Sequence, residues 1–371
     1  MLKFEGDFIP LYKKLVIMKQ LISTSATMAA AIMGLACCNV SDSSKDNEKE
    51  TEANAPVLTA AESDPRVMGW MQGFPPAADK TLNSADGSYF TFPALRYSVN
   101  HMREFFPTRD VPTSDSFRYA VETDIDNDIE NVSFLPWESD EEITFGQSLD
   151  TNYVDGIIIM HKGKIVYETY SGGLTPDGLH AAMSVSKSFT GTLGAILASE
   201  GVLNPEEKVT HYVPELSESG FRDATVRQVM DMTTSLQYSE DYSDPNAEIW
   251  AYSASGNVFR GADYKGPKNY YEYLKTVKKL AGVEHGEAFG YRTINTELLG
   301  WIISRVTGKN IAELVSERIW KPLGAHHNGY YQLGASGITF AGGGFNLNLR
   351  DMAMFGEVMR CNGKLGGKQL I

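Results

Sequence analysis

The chain has 371 residues, 33 Lys and Arg against 47 Asp and Glu, a formal net charge of −14, and a composition that is 42% hydrophobic and 22% charged. These proportions exclude a wholly disordered chain and a polytopic membrane protein, and the length suits two domains or one large one. A net negative chain without a local basic patch repels phosphate backbones, which argues against nucleic acid as a partner.

The first element is a leader. Lys13, Lys14 and Lys19 precede an apolar stretch rich in Ala, Met, Ile and Leu that ends in Leu35-Ala36-Cys37-Cys38. Basic start, apolar centre and small-residue end are the layout of a secretory signal peptide, and the ending resembles a bacterial lipobox. Residues 1–38 are therefore expected to be a lipoprotein leader, with Cys37 or Cys38 lipidated; an ordinary signal peptide and a membrane anchor are the other readings. Export to the periplasm or outer membrane of a Gram-negative bacterium, with membrane attachment through this segment, is the corresponding expectation. Residues 39–63 are polar and charged and read as a flexible tether. Of the three cysteines, only Cys361 then falls in the folded part, so no disulfide framework exists.

Residues 64–120 show little periodicity but carry Trp70, Phe74, Phe90, Phe92 and Tyr97 among prolines and glycines, an aromatic wrap over a core. In the acidic run 124–130, Asp124, Asp126 and Asp128 match the first positions of a calcium loop. Ile129 replaces the required glycine and Leu135 the twelfth-position glutamate, so a solvated loop is the better reading. Residues 154–160 and 164–170 are β-rich runs separated by His161-Lys162-Gly163, a hairpin signal. From 182 to 200, Val185, Phe189, Leu193, Ile196 and Leu197 share one helical face, and Gly201 suits the stop. Further helical patterns lie at 225–233, 270–281, 295–307, 311–320 and 349–360, with Asn295 as N-cap of the third and Gly308 as its stop. A hairpin, a buried helix and then a mainly helical stretch predict an α+β fold instead of a parallel βαβ sheet.

Ser184-Val185-Ser186-Lys187 is an S-x-x-K motif opening the apolar helix. Residues i and i+3 share a helix face, so the Ser184 hydroxyl and the Lys187 amine can meet, and a helix start turns backbone N–H groups toward a substrate. A buried lysine can shed its charge and accept the serine proton. Tyr291 precedes the helical pattern at 295 and can present its phenol as a proton carrier shared with Lys187. His180, four residues before Ser184, reads as a loop histidine because Lys187 already supplies a base. His326 and His327 are adjacent and point apart, and no metal-ligand spacing appears. Gly342-Gly343-Gly344 lacks the Lys-Ser/Thr of a phosphate loop, so neither a metal nor any other cofactor is expected.

These residues, with WMQGFPP (70–76), DGIIIMHKGKIVYETY (155–170), MSVSKSFTGTLGAILASEG (183–201), ATVRQVMDMTTSLQYSEDYSDP (224–245), YRTINTELLGWI (291–302) and GGGFNLNLRDMAMFGEVM (342–359), resemble the serine β-lactamase and penicillin-binding-protein superfamily. The nearest branch is the class C β-lactamase-like hydrolases typified by 6-aminohexanoate-dimer hydrolase. The resemblance implies a β-lactamase/transpeptidase-like α+β fold over residues 64–371: an antiparallel sheet flanked by helices, plus a helical subdomain at roughly 200–335. It implies a serine hydrolase acting on a small amide or ester, with Ser184 acylated, Lys187 its proton partner and Tyr291 protonating the leaving group. Tyr242 would hold or protonate the substrate amide. Thr293 stands where the superfamily's Tyr-x-Asn places a substrate-contacting amide, which disfavours β-lactam processing. Ser253 stands near where the nylon-oligomer enzyme has an acidic residue, which disfavours its cationic substrate. The family chain continues through further sheet strands, one carrying the third motif and a second oxyanion N–H. This sequence stops at Ile371, which implies a truncated chain with those strands missing. A non-catalytic envelope-binding lipoprotein and an inactive fragment are the alternatives. The oligomeric state is open.

Overall fold

A computed structural model of the chain describes residues 57–371. The leader, Cys37 and Cys38 lie outside the described residues, as does most of the tether. The chain is already tied to the fold at its first described turn: Tyr153 donates to the Leu58 carbonyl at 2.7 Å, and the buried Arg96 guanidinium donates to Ala60 O and Ser63 Oγ.

Among the described residues, one sheet has four antiparallel strands: β1 (Thr108–Val111), β4 (His180–Ala181), β5 (Gly329–Gln332) and β6 (Phe345–Leu347), in the order β1-β5-β6-β4. The predicted hairpin forms as β2 (Gly156–His161) and β3 (Lys164–Tyr170). Lys162 and Gly163 connect them with φ of 51° and 82°, the doubly left-handed geometry of a tight hairpin turn, which glycine enters without strain. A short segment, Glu122–Thr123, runs parallel to β3, so this second sheet is mixed and departs locally from the antiparallel expectation.

The helices that frame the cleft or the core behind it include α1 (Ser186–Ser199), α2 (Val226–Met230), α3 (Glu248–Gly256), α4 (Tyr270–Thr276), α5 (Thr293–Thr307) and α6 (Leu349–Arg360). A short helix also forms at Phe145–Thr151, and the predicted segment at 311–320 is helical and runs on to 323. Gly201 follows α1 at φ 73°, and Gly308 ends α5 at φ 70°, so both predicted stops hold. Two helix expectations change. The pattern at 270–281 ends at Thr276, because Val277 turns extended. Gly220 N–H then takes the Val277 carbonyl at 2.7 Å, and Lys278–Lys279 pairs with Leu236–Gln237 as a short ribbon. Asn295 is not the N-cap of α5. That helix starts two residues earlier, and Asn295 is buried inside it, its Oδ1 accepting from Thr234 Oγ1 at 2.8 Å. Helix α3 has no counterpart among the predicted segments. Its buried face is Ile249, Tyr252, Ser255 and Gly256, too small and polar to register as an apolar stripe.

α1 runs through the centre of the main core. Phe189 is fully buried, stacked on Phe355 at 4.0 Å and edge-on to Phe345 at 4.9 Å. Such ring pairs add about 0.5–1.5 kcal/mol each beyond area burial. They set the axial rotation of α1, and through it the direction in which its first turn faces.

Candidate functional site

Ser184 stands in a tight turn, Met183–Val185, between β4 and α1. Met183 has φ 45°, a left-handed conformation that costs a side-chain-bearing residue energy and is held here by its surroundings. The kink sends the chain from sheet into helix within a few residues and leaves Ser184 exposed at the helix entrance.

One face of α1 is laced to the segment 341–345. The Ser186 hydroxyl accepts the Phe345 N–H at 3.0 Å, and Thr190 donates to Ala341 O at 3.0 Å. Between them, Lys187 Nζ donates to Gly342 O at 2.7 Å and to Ser184 Oγ at 2.8 Å. The predicted serine–lysine pair is therefore in contact, with the amine anchored on its far side. Gly342 tolerates no side chain. A Cβ there would lie 2.6 Å from Thr293 Cγ2 and 3.2 Å from Glu297 Oε1. The Tyr291 ring centroid lies 5.1 Å from Lys187 Nζ, a cation–π distance, and no hydrogen bond joins its hydroxyl to Ser184 or Lys187.

Tyr242 and Thr293 meet through a residue that the sequence did not single out. The Glu240 carboxylate accepts the Thr293 N–H and the Thr293 hydroxyl, each at 2.5 Å, and the Tyr242 hydroxyl at 3.1 Å. Glu240 thereby caps α5 from a distant loop, which is why α5 begins at Thr293. Burial, and then the Glu240 charge, hold the Tyr242 phenol well above the ordinary tyrosine range. The Thr293 hydroxyl is a donor to Glu240 and not a free substrate contact.

Ser184, Lys187, Tyr242 and Thr293 line a cleft of about 850 Å³, within the range of small-molecule sites. Its outer wall comes from the aromatic segment read as a wrap: Tyr89, Phe90, Phe92 and Phe106. Ser253 also lines it. Glu297 and Gly342 were likewise missed as site residues. The available signal for Glu297 was an acidic residue in an apolar helix with no basic partner three or four positions away.

Other candidates lie apart. His180 is on strand β4 and not in a loop. Its ring contacts Ala181 O at 2.9 Å and Asp155 at 3.4 Å, with no bond to Ser184. His326 and His327 diverge as expected, to Tyr119 O and to Asp351. Asp126 accepts the Asp128 N–H and caps a short turn. Among the described residues, no helix is long and apolar enough to cross a membrane.

A family model described as Beta-lactamase matches residues 152–369. The chain is 36% identical over 227 residues to 6-aminohexanoate-dimer hydrolase of Paenarthrobacter ureafaciens, covering 61% of this chain and 56% of that protein. It is 24% identical over 264 residues to lovastatin esterase of Penicillium rubens, covering 58% and 63%. It thus spans less than two thirds of the length of either relative. The solved structure of a Bacillus anthracis protein assigned as a 6-aminohexanoate-dimer hydrolase superposes with a TM-score of 0.70 at 34% identity, covering 76% of this chain and 73% of that one.

Proposed function

The chain belongs to the β-lactamase family, and on that footing we propose that it is a serine hydrolase cleaving a small amide or ester through an acyl-enzyme on Ser184. The observation that carries this reading is the 2.8 Å contact between Lys187 Nζ and Ser184 Oγ at the start of α1, open to the cleft.

In this reading Ser184 Oγ attacks the substrate carbonyl and its proton passes to Lys187 Nζ. Gly342 O, bonded to the same nitrogen, keeps the amine aimed through the transfer. The Ser184 N–H is the oxyanion donor that this reading assigns, with a second N–H to come from a later strand. Tyr291, over Lys187, hands a proton to the leaving nitrogen or oxygen as the carbonyl carbon releases it, and Lys187 returns a proton to the phenolate. Water then repeats the sequence on the acyl-Ser184 ester and frees the acid. Tyr242, which lines the same cleft, would hold or protonate the substrate amide. Relatives named for an amide and for an ester substrate support both bond types.

A fluorophosphonate label on the full chain tests the assignment. Covalent labelling is expected at Ser184 and is expected to vanish in Ser184→Ala with the thermal melt unchanged. Labelling that survives the substitution overturns it.

The leader supports an exported, lipid-anchored location in the cell envelope. Mass spectrometry of the mature N-terminus checks this: a lipidated cysteine at 37 or 38 is expected, and a mature chain retaining residues 1–38 overturns it.

A further inference from the structure

Glu297 is fully buried on α5, directly behind the reacting pair. Its Oε1 accepts the Gly342 N–H at 2.6 Å, and the carbonyl of that same glycine holds Lys187 Nζ. Gly342 is thus pinned on both sides of its Cα, and an unbroken set of contacts runs from Glu297 through Gly342 and Lys187 to Ser184. A buried carboxyl is an expensive way to fill a helix face that a leucine would fill at no desolvation cost. The second oxygen, Oε2, is buried beside the buried Tyr252 hydroxyl, close enough for the two to influence each other but without a hydrogen bond of good geometry. A protonated Glu297 can present its O–H toward Tyr252 while Oε1 keeps the glycine. The ionised form could instead accept the Tyr252 O–H, and it is burial, with a helix face walled by tyrosines, that favours the acid.

We propose that Glu297 is a positioning residue, acting through Gly342 to hold Lys187 on Ser184, and that its neutral acid form is the one that supports proton transfer. This rests on the reading of Ser184 and Lys187 as the reacting pair.

The groups facing Glu297 are Lys187 from α1, Tyr252 from α3, Tyr270 and Tyr271 from α4, and Tyr331 from β5, so Lys187 is the one cation among them. Burial pushes the Glu297 carboxyl up to about 8, against the opposing pull of the Gly342 N–H, the Tyr252 hydroxyl and Lys187. Above that pH a buried negative charge lies behind Gly342, and its attraction for the nitrogen that must relay the serine proton works against the transfer. Acylation should therefore decline where Glu297 ionises.

The test compares fluorophosphonate labelling rates of the full chain from pH 6 to 9.5 in wild type, Glu297→Gln and Glu297→Leu, with thermal melts alongside. The glutamine keeps an acceptor for Gly342 but never ionises. At pH 6.5 it should react within about 3-fold of wild type, and its rate relative to wild type should climb about 5-fold or more between pH 7 and 9. The leucine has no acceptor and should lose about 30-fold or more with its melt retained. A Glu297→Leu protein labelled at the wild-type rate overturns the proposal. So does a glutamine-to-wild-type ratio that stays flat with pH, a comparison that decides the matter even if the leucine variant does not fold. A wild-type chain that takes no label at Ser184 overturns the nucleophile assignment, and this inference with it.

Discussion

The Glu240 carboxylate takes both the backbone N–H and the hydroxyl of Thr293, a residue 53 positions later in the chain, at 2.5 Å each. One side chain thereby caps α5, occupies the Thr293 hydroxyl, and holds the Tyr242 phenol. Glu240→Ala removes the cap at a cost of about 1 kcal/mol and releases both side chains into the cleft. The expected outcome is a small loss in thermal stability and a larger loss in ester turnover, about 10-fold or more. Glu240→Gln, which keeps the acceptor oxygen, should recover most of the stability but less of the activity. Equal activity in all three proteins would rule out a role for the clamp.

Gly342→Ala should be more damaging than its one added carbon suggests. The new Cβ meets Thr293 Cγ2 at 2.6 Å and crowds Glu297 Oε1. Neither neighbour can retreat, because both are buried on α5. Overpacking of this kind costs about 1–3 kcal/mol, and the shift it forces moves the carbonyl that anchors Lys187. Denaturant unfolding should show the destabilisation, and fluorophosphonate labelling of Ser184 should slow by at least about 10-fold.

The ion pair between Arg96 and Asp155 joins the aromatic wrap to the β2–β3 hairpin. Its atoms are 3.0 Å apart, and both side chains are below a tenth exposed. Arg96 also donates to Ala60 O and Ser63 Oγ, and Asp155 contacts His180. Asp155→Ala leaves the guanidinium buried without its counter-charge and should cost about 3–5 kcal/mol. Losing both partners in the double variant Arg96→Met, Asp155→Ala should cost less than removing Asp155 alone. A melt of Asp155→Ala within 1 °C of wild type would contradict this.

His327 carries the pH dependence of the opposite edge. Its ring nitrogens lie 3.2 Å from Asp351 and 3.2 Å from Asp177. The hydrogen bond to Asp351 is the larger influence that raises its pKa above the usual histidine value, against some loss from burial. Because the folded pKa is raised, the stabilisation is fully present below the unfolded value near 6.5 and is lost as pH rises through the folded value. Wild type should therefore lose stability across that window, and His327→Gln should flatten the slope. Parallel slopes in thermal melts from pH 5 to 8 would refute the assignment.

The features legible in the sequence were those whose cause is local. Lys162-Gly163 marks its own hairpin because only a few residues tolerate two left-handed conformations in succession. Gly201 and Gly308 mark helix stops for the same steric reason. Ser184 and Lys187 were found because a three-residue separation on a helix places two side chains on one face whatever surrounds them. What the sequence could not show is set by segments far apart in the chain. The start of α5 was misplaced because its cap is Glu240 and not an adjacent residue. The roles of Glu297 and Gly342 arise only when α5 packs behind α1 and the segment 341–345 is laced between them. Local spacing determined which side chains could react. The close packing of α1, α5 and the glycine turn decided which of them are held in place to do so, because hydrogen bonds between distant segments exist only at the separations that the folded core imposes.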